Sequence, residues 1–213
     1  MKRAWVFAGG AFAPEHLSES YSSEDLVVCV DSGLSHCLAS GLQPSLLVGD
    51  FDSVDKSLLE TISGVDIDQH SPRKNQSDLE LALVQLQQQA VDEIVLLGVS
   101  GGRTDHLLFN WFLPQRYLGQ ARIRILDGTV DARLVSSKHP FSAHMASGLT
   151  VSLFPLNKVA GIVTHGLEYP LSNASMDPGT TLGLSNVSIG GEVSVTVTSG
   201  LLWLLEVVAE ANP

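Results

Sequence analysis

The sequence predicts an α/β N-terminal domain with a mostly parallel sheet, followed by a C-terminal antiparallel β-sandwich domain. Three observations carry that expectation. In the first half, short apolar runs alternate with stretches of helical periodicity, as in a parallel sheet covered by helices. Three of those runs end in Gly, Ser and Asp, and open α/β sheets bind ligands beyond the carboxyl ends of their strands. After about residue 136 the pattern changes to period-two alternation punctuated by Pro and Gly. The expected division is therefore residues 1–135 and 136–213.

The first strand is expected at residues 4–8, Ala4-Trp5-Val6-Phe7-Ala8. It lies within an N-terminus, from Met1-Lys2-Arg3 to Ala11-Phe12-Ala13, that mimics a short signal peptide. The apolar part is brief and broken by Gly9-Gly10, and cleavage would remove a sheet strand, so the expectation is an uncleaved cytoplasmic protein. Val27-Val28-Cys29-Val30 is the second strand, ending in Asp31-Ser32-Gly33, with a helix over residues 35–39. Leu46-Leu47-Val48 ends in Gly49-Asp50-Phe51-Asp52-Ser53 and precedes a helix over residues 56–62. The clearest helix covers residues 78–89, with Leu79, Ala82, Leu83, Leu86 and Ala90 on one face. Ser77, three residues before Glu80, makes a capping box at its start. Ile94-Val95-Leu96-Leu97 ends in Gly98-Val99-Ser100-Gly101-Gly102-Arg103-Thr104-Asp105-His106, which opens a helix over residues 104–113. A last strand of this region is expected at residues 123–126. In the second region, residues 150–154 and 192–198 read as strands, and Ser199-Gly200 turns into the buried run Leu201-Leu202-Trp203-Leu204-Leu205.

Composition narrows the function. Hydrophobic residues at 44% and charged residues at 16% describe a globular chain. A formal net charge of −11 argues against a nucleic-acid backbone or an anionic membrane as the main partner. No apolar run approaches the ~18 residues of a membrane span. Cys29 and Cys37 lack metal-ligand spacing and read as buried free thiols in a reducing compartment. The seven histidines show no His-x-x-x-His spacing, and none is assigned to metal.

Chemistry concentrates at the strand ends. On a regular strand Asp50 and Asp52 would share a face. Two ionised carboxylates ~4 Å apart repel by roughly 4 kcal/mol at an effective dielectric near 20. A divalent cation relieves that repulsion, and oxygen-only ligands suit Mg²⁺ beside substrate phosphates. The competing reading is a solvated Asp-rich turn. Asp78 favours a helix N-terminus in any case. Gly101-Gly102 would let backbone N–H groups approach a phosphate, while Arg103 and Asp105 have the alternative of a plain surface ion pair.

Five segments in order resemble the thiamine pyrophosphokinase family: Asp31-Ser32-Gly33, Gly49-Asp50-Phe51-Asp52-Ser53, Lys74-Asn75-Gln76-Ser77-Asp78-Leu79-Glu80, Gly101-Gly102-Arg103-Thr104-Asp105-His106 and Gly183-Leu184-Ser185-Asn186. The resemblance runs from about Val6 to Leu205. It implies an enzyme that moves diphosphate from ATP to the hydroxyl of thiamine, giving thiamine diphosphate and AMP. It implies Mg²⁺ on Asp31, Asp50, Asp52 and Asp78. ATP would meet Asp31, Gly33, Lys74, Ser77, Arg103 and Asp105, and Asp78, Arg103 and Asp105 would serve catalysis. Thiamine would meet Ser185 and Asn186. The resemblance further implies a homodimer with active sites between chains; the continuous run at residues 201–205 either offers an apolar surface for a second chain to cover or fills the sandwich of its own chain. Leu184 stands where the family commonly has a small hydroxyl residue. That departure keeps open a pyrophosphokinase for another primary alcohol. A non-catalytic thiamine or nucleotide sensor is the other alternative, disfavoured because a pure binder gains little from clustered carboxylates.

Overall fold

The computed structural model describes residues 1–12, 14, 17, 21–52, 54–117, 119, 121–128 and 130–207; Ala13 and Ser53 lie outside these. The chain forms two compact units, Met1–Gly128 and Thr129–Pro213. The boundary falls earlier than the expected 135/136 because residues 130–135 pair along their whole length with residues 202–207.

The first unit holds strands β1 (Arg3–Phe7), β2 (Leu26–Val30), β3 (Leu46–Gly49), β4 (Asp66–Gln69), β5 (Glu93–Leu97) and β6 (Arg122–Asp127). They are ordered β6-β5-β1-β2-β3-β4, and every pairing is parallel. β1 is central, with Trp5 in register with Val27 on one side and Val95 on the other. Strands covered on both faces read as continuous apolar runs, and β5 is buried at every position. β4 has no such run. Its residues Asp-Ile-Asp-Gln form a solvated edge with Ile67 exposed, which is why periodicity did not predict it.

The helices are α1 (Gly33–Ala39), α2 (Lys56–Leu59), α3 (Asp78–Leu86) and α4 (Thr104–Phe112), followed by a 3-10 turn over Leu113–Arg116. Leu79, Ala82, Leu83 and Leu86 of α3 are buried as the 3.6-residue period requires. The helix stops before Ala90, which is exposed. Ser77 Oγ accepts from the Glu80 N–H at 3.2 Å, so its half of the capping box forms. The Glu80 carboxylate accepts from Tyr117 and Arg116. α4 buries none of its residues and leaves Leu108, Phe109 and Phe112 exposed. Trp5, Phe7, Val27, Cys29, Leu34, Cys37, Leu47 and Val95 anchor this unit's core. Each large apolar side chain so buried stabilises the fold by about 1.5–3 kcal/mol.

The second unit holds β7 (Val130–Val135), β8 (Phe141–Met145), β9 (Thr150–Pro155), β10 (Val159–His165), β11 (Ala174–Met176), β12 (Asn186–Val187), β13 (Gly191–Thr196) and β14 (Leu202–Val207). Strands β12-β9-β14-β7 lie side by side, and β11-β10-β13-β8 form a second sheet. All these pairings are antiparallel. One core draws Val151, Leu153, Leu202 and Leu204 from the first set and Phe141, Ile162, Val193 and Val195 from the other. Leu202, Trp203 and Leu204 are fully buried in this chain. The centre of the run thus fills this chain's own interior, with Leu201 and Leu205 half-buried, and the run no longer argues that a second chain must cover it. Trp203 is a core residue, whereas Tyr169 is exposed. Among the described residues no helix is long and apolar enough to cross a membrane.

Candidate active site

β1 has β2 on one side and β5 on the other, so the direction of chain progression reverses around it. Open α/β sheets bind ligands at that reversal, beyond the carboxyl ends of the strands. A pocket of about 310 Å³ lies there. Ala8, Gly9 and Gly10 line it from the end of β1, Asp31 and Ser32 from β2, and Gly98, Gly101, Gly102 and Arg103 from β5. The start of α3 adds Ser77 and Asp78, and α4 adds His106 and Asn110.

Hydrogen bonds hold the first and third of these loops together. Gly10 N–H donates to the Gly98 carbonyl at 2.7 Å and Ala11 N–H to that of Ser100 at 2.6 Å. A side chain at Gly10 would strike those same carbonyls. Gly98 has φ +63 and lies against the Ala8 carbonyl, so both its conformation and its surroundings require glycine. Asn110 Nδ2 donates to the Val99 carbonyl at 3.0 Å, and Trp111 Nε1 to Ser100 Oγ at 2.8 Å, fixing the third loop to α4.

The carboxylates meet beside this pocket, though not by strand alternation as expected. β3 ends at Gly49, and Phe51 takes φ +63. The chain turns, and Asp52 N–H donates to Asp50 Oδ1 at 3.1 Å. Asp31, itself at φ +46, accepts from the N–H groups of Asp50 (3.1 Å) and Phe51 (3.3 Å) through Oδ1. Burial pushes the Asp31 carboxyl up to about 7, helped by charge on Asp78 and Asp50 and opposed by the Phe51 N–H. The charge of neighbouring Asp50 raises Asp52 as well. Lys74 supplies the nearby positive charge, with Nζ 2.7 Å from Asp78 Oδ1 and 3.8 Å from Asp50 Oδ2. Burial pulls the Lys74 ammonium down, but Asp78, Asp50 and Asp31 outweigh it and leave it raised.

This donor set fits Mg²⁺ in kind. It is all oxygen and anionic, and repulsion between its members raises Asp52 and adds to the burial that raises Asp31. Among the described residues, no three His, Cys, Asp or Glu side chains stand arranged to hold a metal ion.

Arg103 and Asp105 form the surface pair that was the alternative reading. Nε donates to Oδ1 at 3.1 Å and Nη2 to Oδ2 at 2.6 Å. The guanidinium hydrogen bonds hold the Asp105 carboxyl down at about 2. With side chains 72% and 55% exposed, such a pair contributes little to stability, and Arg103 is free to exchange partners.

Gly33 opens α1 buried against β1, where a side chain would strike the Phe7 carbonyl. Its place is close packing. Ser185 is exposed at φ +56 in the second unit, and its N–H donates to Ser152 Oγ at 3.0 Å. Asn186 is buried. Its Oδ1 accepts from Tyr169 N–H (3.1 Å) and Val187 N–H (2.9 Å), and Nδ2 donates to the Tyr169 carbonyl (2.7 Å). That amide is engaged with backbone at both ends.

Sequence reasoning missed Gly9, Gly10 and Asn110 and set His106 aside, yet all four line the pocket. The signal was present for two of them: a Gly-Gly pair follows the first strand just as another follows the fifth.

The profile of the thiamin pyrophosphokinase catalytic domain matches residues 17–126, and that of the thiamin pyrophosphokinase vitamin B1 binding domain matches residues 138–202. A thiamine pyrophosphokinase of Bacillus subtilis (strain 168) is 27% identical over 215 residues, spanning 96% of this chain and 98% of that protein. The crystal structure of thiamine pyrophosphokinase from Bacillus subtilis matches with a TM-score of 0.86 at 26% identity, covering 99% of this chain and 100% of that one. The corresponding structure from Geobacillus thermodenitrificans gives 0.84 at 26% identity, covering 99% of each chain. With its catalytic part alone matched over more than half its length, the chain belongs to the thiamin pyrophosphokinase family.

Proposed function

We propose that the protein transfers the β- and γ-phosphates of ATP together to the hydroxyethyl oxygen of thiamine, giving thiamine diphosphate and AMP. The observation that carries this is the meeting of four interacting carboxylates and Lys74 beside a pocket built from glycine-bearing strand ends. The alcohol is a weak nucleophile and the ATP tail is highly anionic. The site must align one with the other and neutralise charge.

Asp31, Asp50, Asp52 and Asp78 would hold Mg²⁺, which when bound supplies positive charge to the phosphate oxygens. The N-termini of α3 and α4 reach the pocket at Ser77 and Arg103 and favour anions there. Arg103 exchanges Asp105 for phosphate oxygens, where its planar fork binds two at once. Asp105 thereby stores the guanidinium in place. Lys74 and Ser77 complete the ATP contacts, and Gly33 serves by packing α1 close beneath them. Asp78 orients the thiamine hydroxyl and takes its proton as the oxygen bonds to the β-phosphorus. The bond from that phosphorus to the oxygen leading to the α-phosphate breaks, and AMP leaves with that oxygen.

Residues 1–135 carry the ATP and metal chemistry in this reading, and residues 136–213 bind thiamine. Ser185 meets thiamine directly, and Asn186 acts by holding the Tyr169 backbone beside it. The protein works as a homodimer with active sites between chains. Support for the second chain lies in apolar side chains left in solvent: Phe109 at 77%, and Leu182, Leu184 and Ile189. Two free, buried cysteines accord with a cytoplasmic setting.

An AMP-release assay with ATP and Mg²⁺ tests the reaction. AMP and thiamine diphosphate should form in equal amounts, and AMP should not form when thiamine is omitted. Turnover with other primary alcohols but not thiamine would overturn the assignment of substrate. Binding of both ligands with no AMP would make the protein a sensor.

A further inference from the structure

Lys74 stands where three acidic segments converge. Its side chain is 17% exposed, and those of Asp50 and Asp78 are 14% and 17% exposed. Asp78 Oδ1 is buried, and beyond this ion pair it has no hydrogen-bond partner. Partly buried carboxylates without a counter-ion are costly. One ammonium is therefore the charge that lets Asp50 and Asp78 remain together when no metal is bound. The same carboxylates are the ones assigned to Mg²⁺, and a dication and an ammonium cannot crowd onto them at contact distance without strong repulsion. Lysine also suits a movable charge, because it is a point cation on a flexible four-carbon stem.

Resting on the reading of these aspartates as metal ligands, we infer that Lys74 is an internal stand-in for the divalent cation. Metal entry at Asp50 and Asp78 displaces its ammonium, which then turns to the anionic phosphates arriving in the pocket. Metal binding and lysine release are one exchange. The site stays folded without metal, and the lysine is delivered when phosphate needs it.

The test reads metal binding and stability without turnover. Mn²⁺ alone serves as the probe, titrated by calorimetry into wild-type protein and Lys74→Met with no nucleotide present. Removing the competing charge should tighten Mn²⁺ binding about tenfold. Lys74→Met should melt below wild type in chelator and regain the difference in saturating Mn²⁺. Unchanged or weaker Mn²⁺ binding, or a melting deficit that saturating Mn²⁺ does not remove, overturns the exchange. So does failure of both proteins to bind Mn²⁺.

A measurement on the wild type covers the case in which Lys74→Met does not fold. Reductive methylation of Lys74, read on its peptide, should speed up at least about threefold when Mg²⁺ frees the ammonium from its ion pairs. No acceleration overturns the exchange. A wild type that releases AMP with thiamine while these results fail leaves the proposed reaction standing: absent Mn²⁺ binding removes the metal assignment of the aspartates, and any other failure removes only the role of Lys74.

Discussion

In the first unit Asp31, Asp50, Asp52 and Asp78 gather with one ammonium near them, and two of their carboxyls are pushed upward. In the second unit Asn186 commits both ends of its amide to backbone groups of Tyr169 and Val187. The first arrangement leaves charge to be neutralised by something that arrives. The second satisfies its polar atoms internally. In the proposed reading, residues of one motif set therefore split into those that would hold a ligand and those that hold the chain, and substitution distinguishes them.

The largest effect is expected at the carboxylates. Asp50→Asn and Asp78→Asn remove charge at nearly constant volume, so turnover should fall on the order of 10²–10⁴-fold while the fold persists. Steady-state AMP release together with a melting curve checks both halves. Near-normal turnover at limiting Mg²⁺ would erase the contrast between the units. Arg103→Lys comes next: it keeps the charge but loses the fork, and kcat should drop roughly 10–100-fold with thiamine affinity little changed. Direct binding of each substrate decides it, and a selective loss of thiamine binding would move Arg103 to the other ligand.

Asn186→Ala should act in the opposite sense, through stability. It orphans the N–H and carbonyl of Tyr169 and should cost about 1–3 kcal/mol, read as a lowered denaturation midpoint. Thiamine KM should rise with the displaced backbone, while ATP KM stays near wild type. A lost thiamine site at unchanged stability would show that the amide faces the ligand after all.

The smallest effect is a slope with pH. Asp31 has its folded-state pKa raised above the unfolded value, so between about pH 4 and 7 the native state holds the extra proton. Stability in chelator should therefore fall as pH rises through that window. The slope should flatten in Asp31→Asn and in saturating Mg²⁺. A rising stability across the same window would mean that Asp31 is stabilised as the anion.

Much of this was legible in the sequence because it is local. Parallel strands covered on both faces advertise themselves as apolar runs, and the residues after them mark the pocket. The failures have physical causes. β4 is a polar edge, and an edge needs no apolar face. Asp50 and Asp52 come together through a left-handed Phe51 and a turn, not through the alternation of a strand. The role of Asn186 depends on a backbone 17 positions away, and no local pattern reports that. The pairing of Arg103 with Asp105 was readable, but a surface ion pair and a phosphate site differ only when the ligand is there.

The pocket's walls span the chain from Ala8 to Asn110, and its two glycine-bearing loops meet because β5 lies against β1, which precedes it by about ninety residues. During synthesis the first wall emerges long before the last. No partial chain that lacks β5 can form the site, however well its early helices and β2–β3 pairing have settled. Contacts of such long range also form late and slowly when a chain refolds. In a refolding experiment, secondary structure should return first and nucleotide binding last, so ligand binding would serve as a clock for the docking of β5.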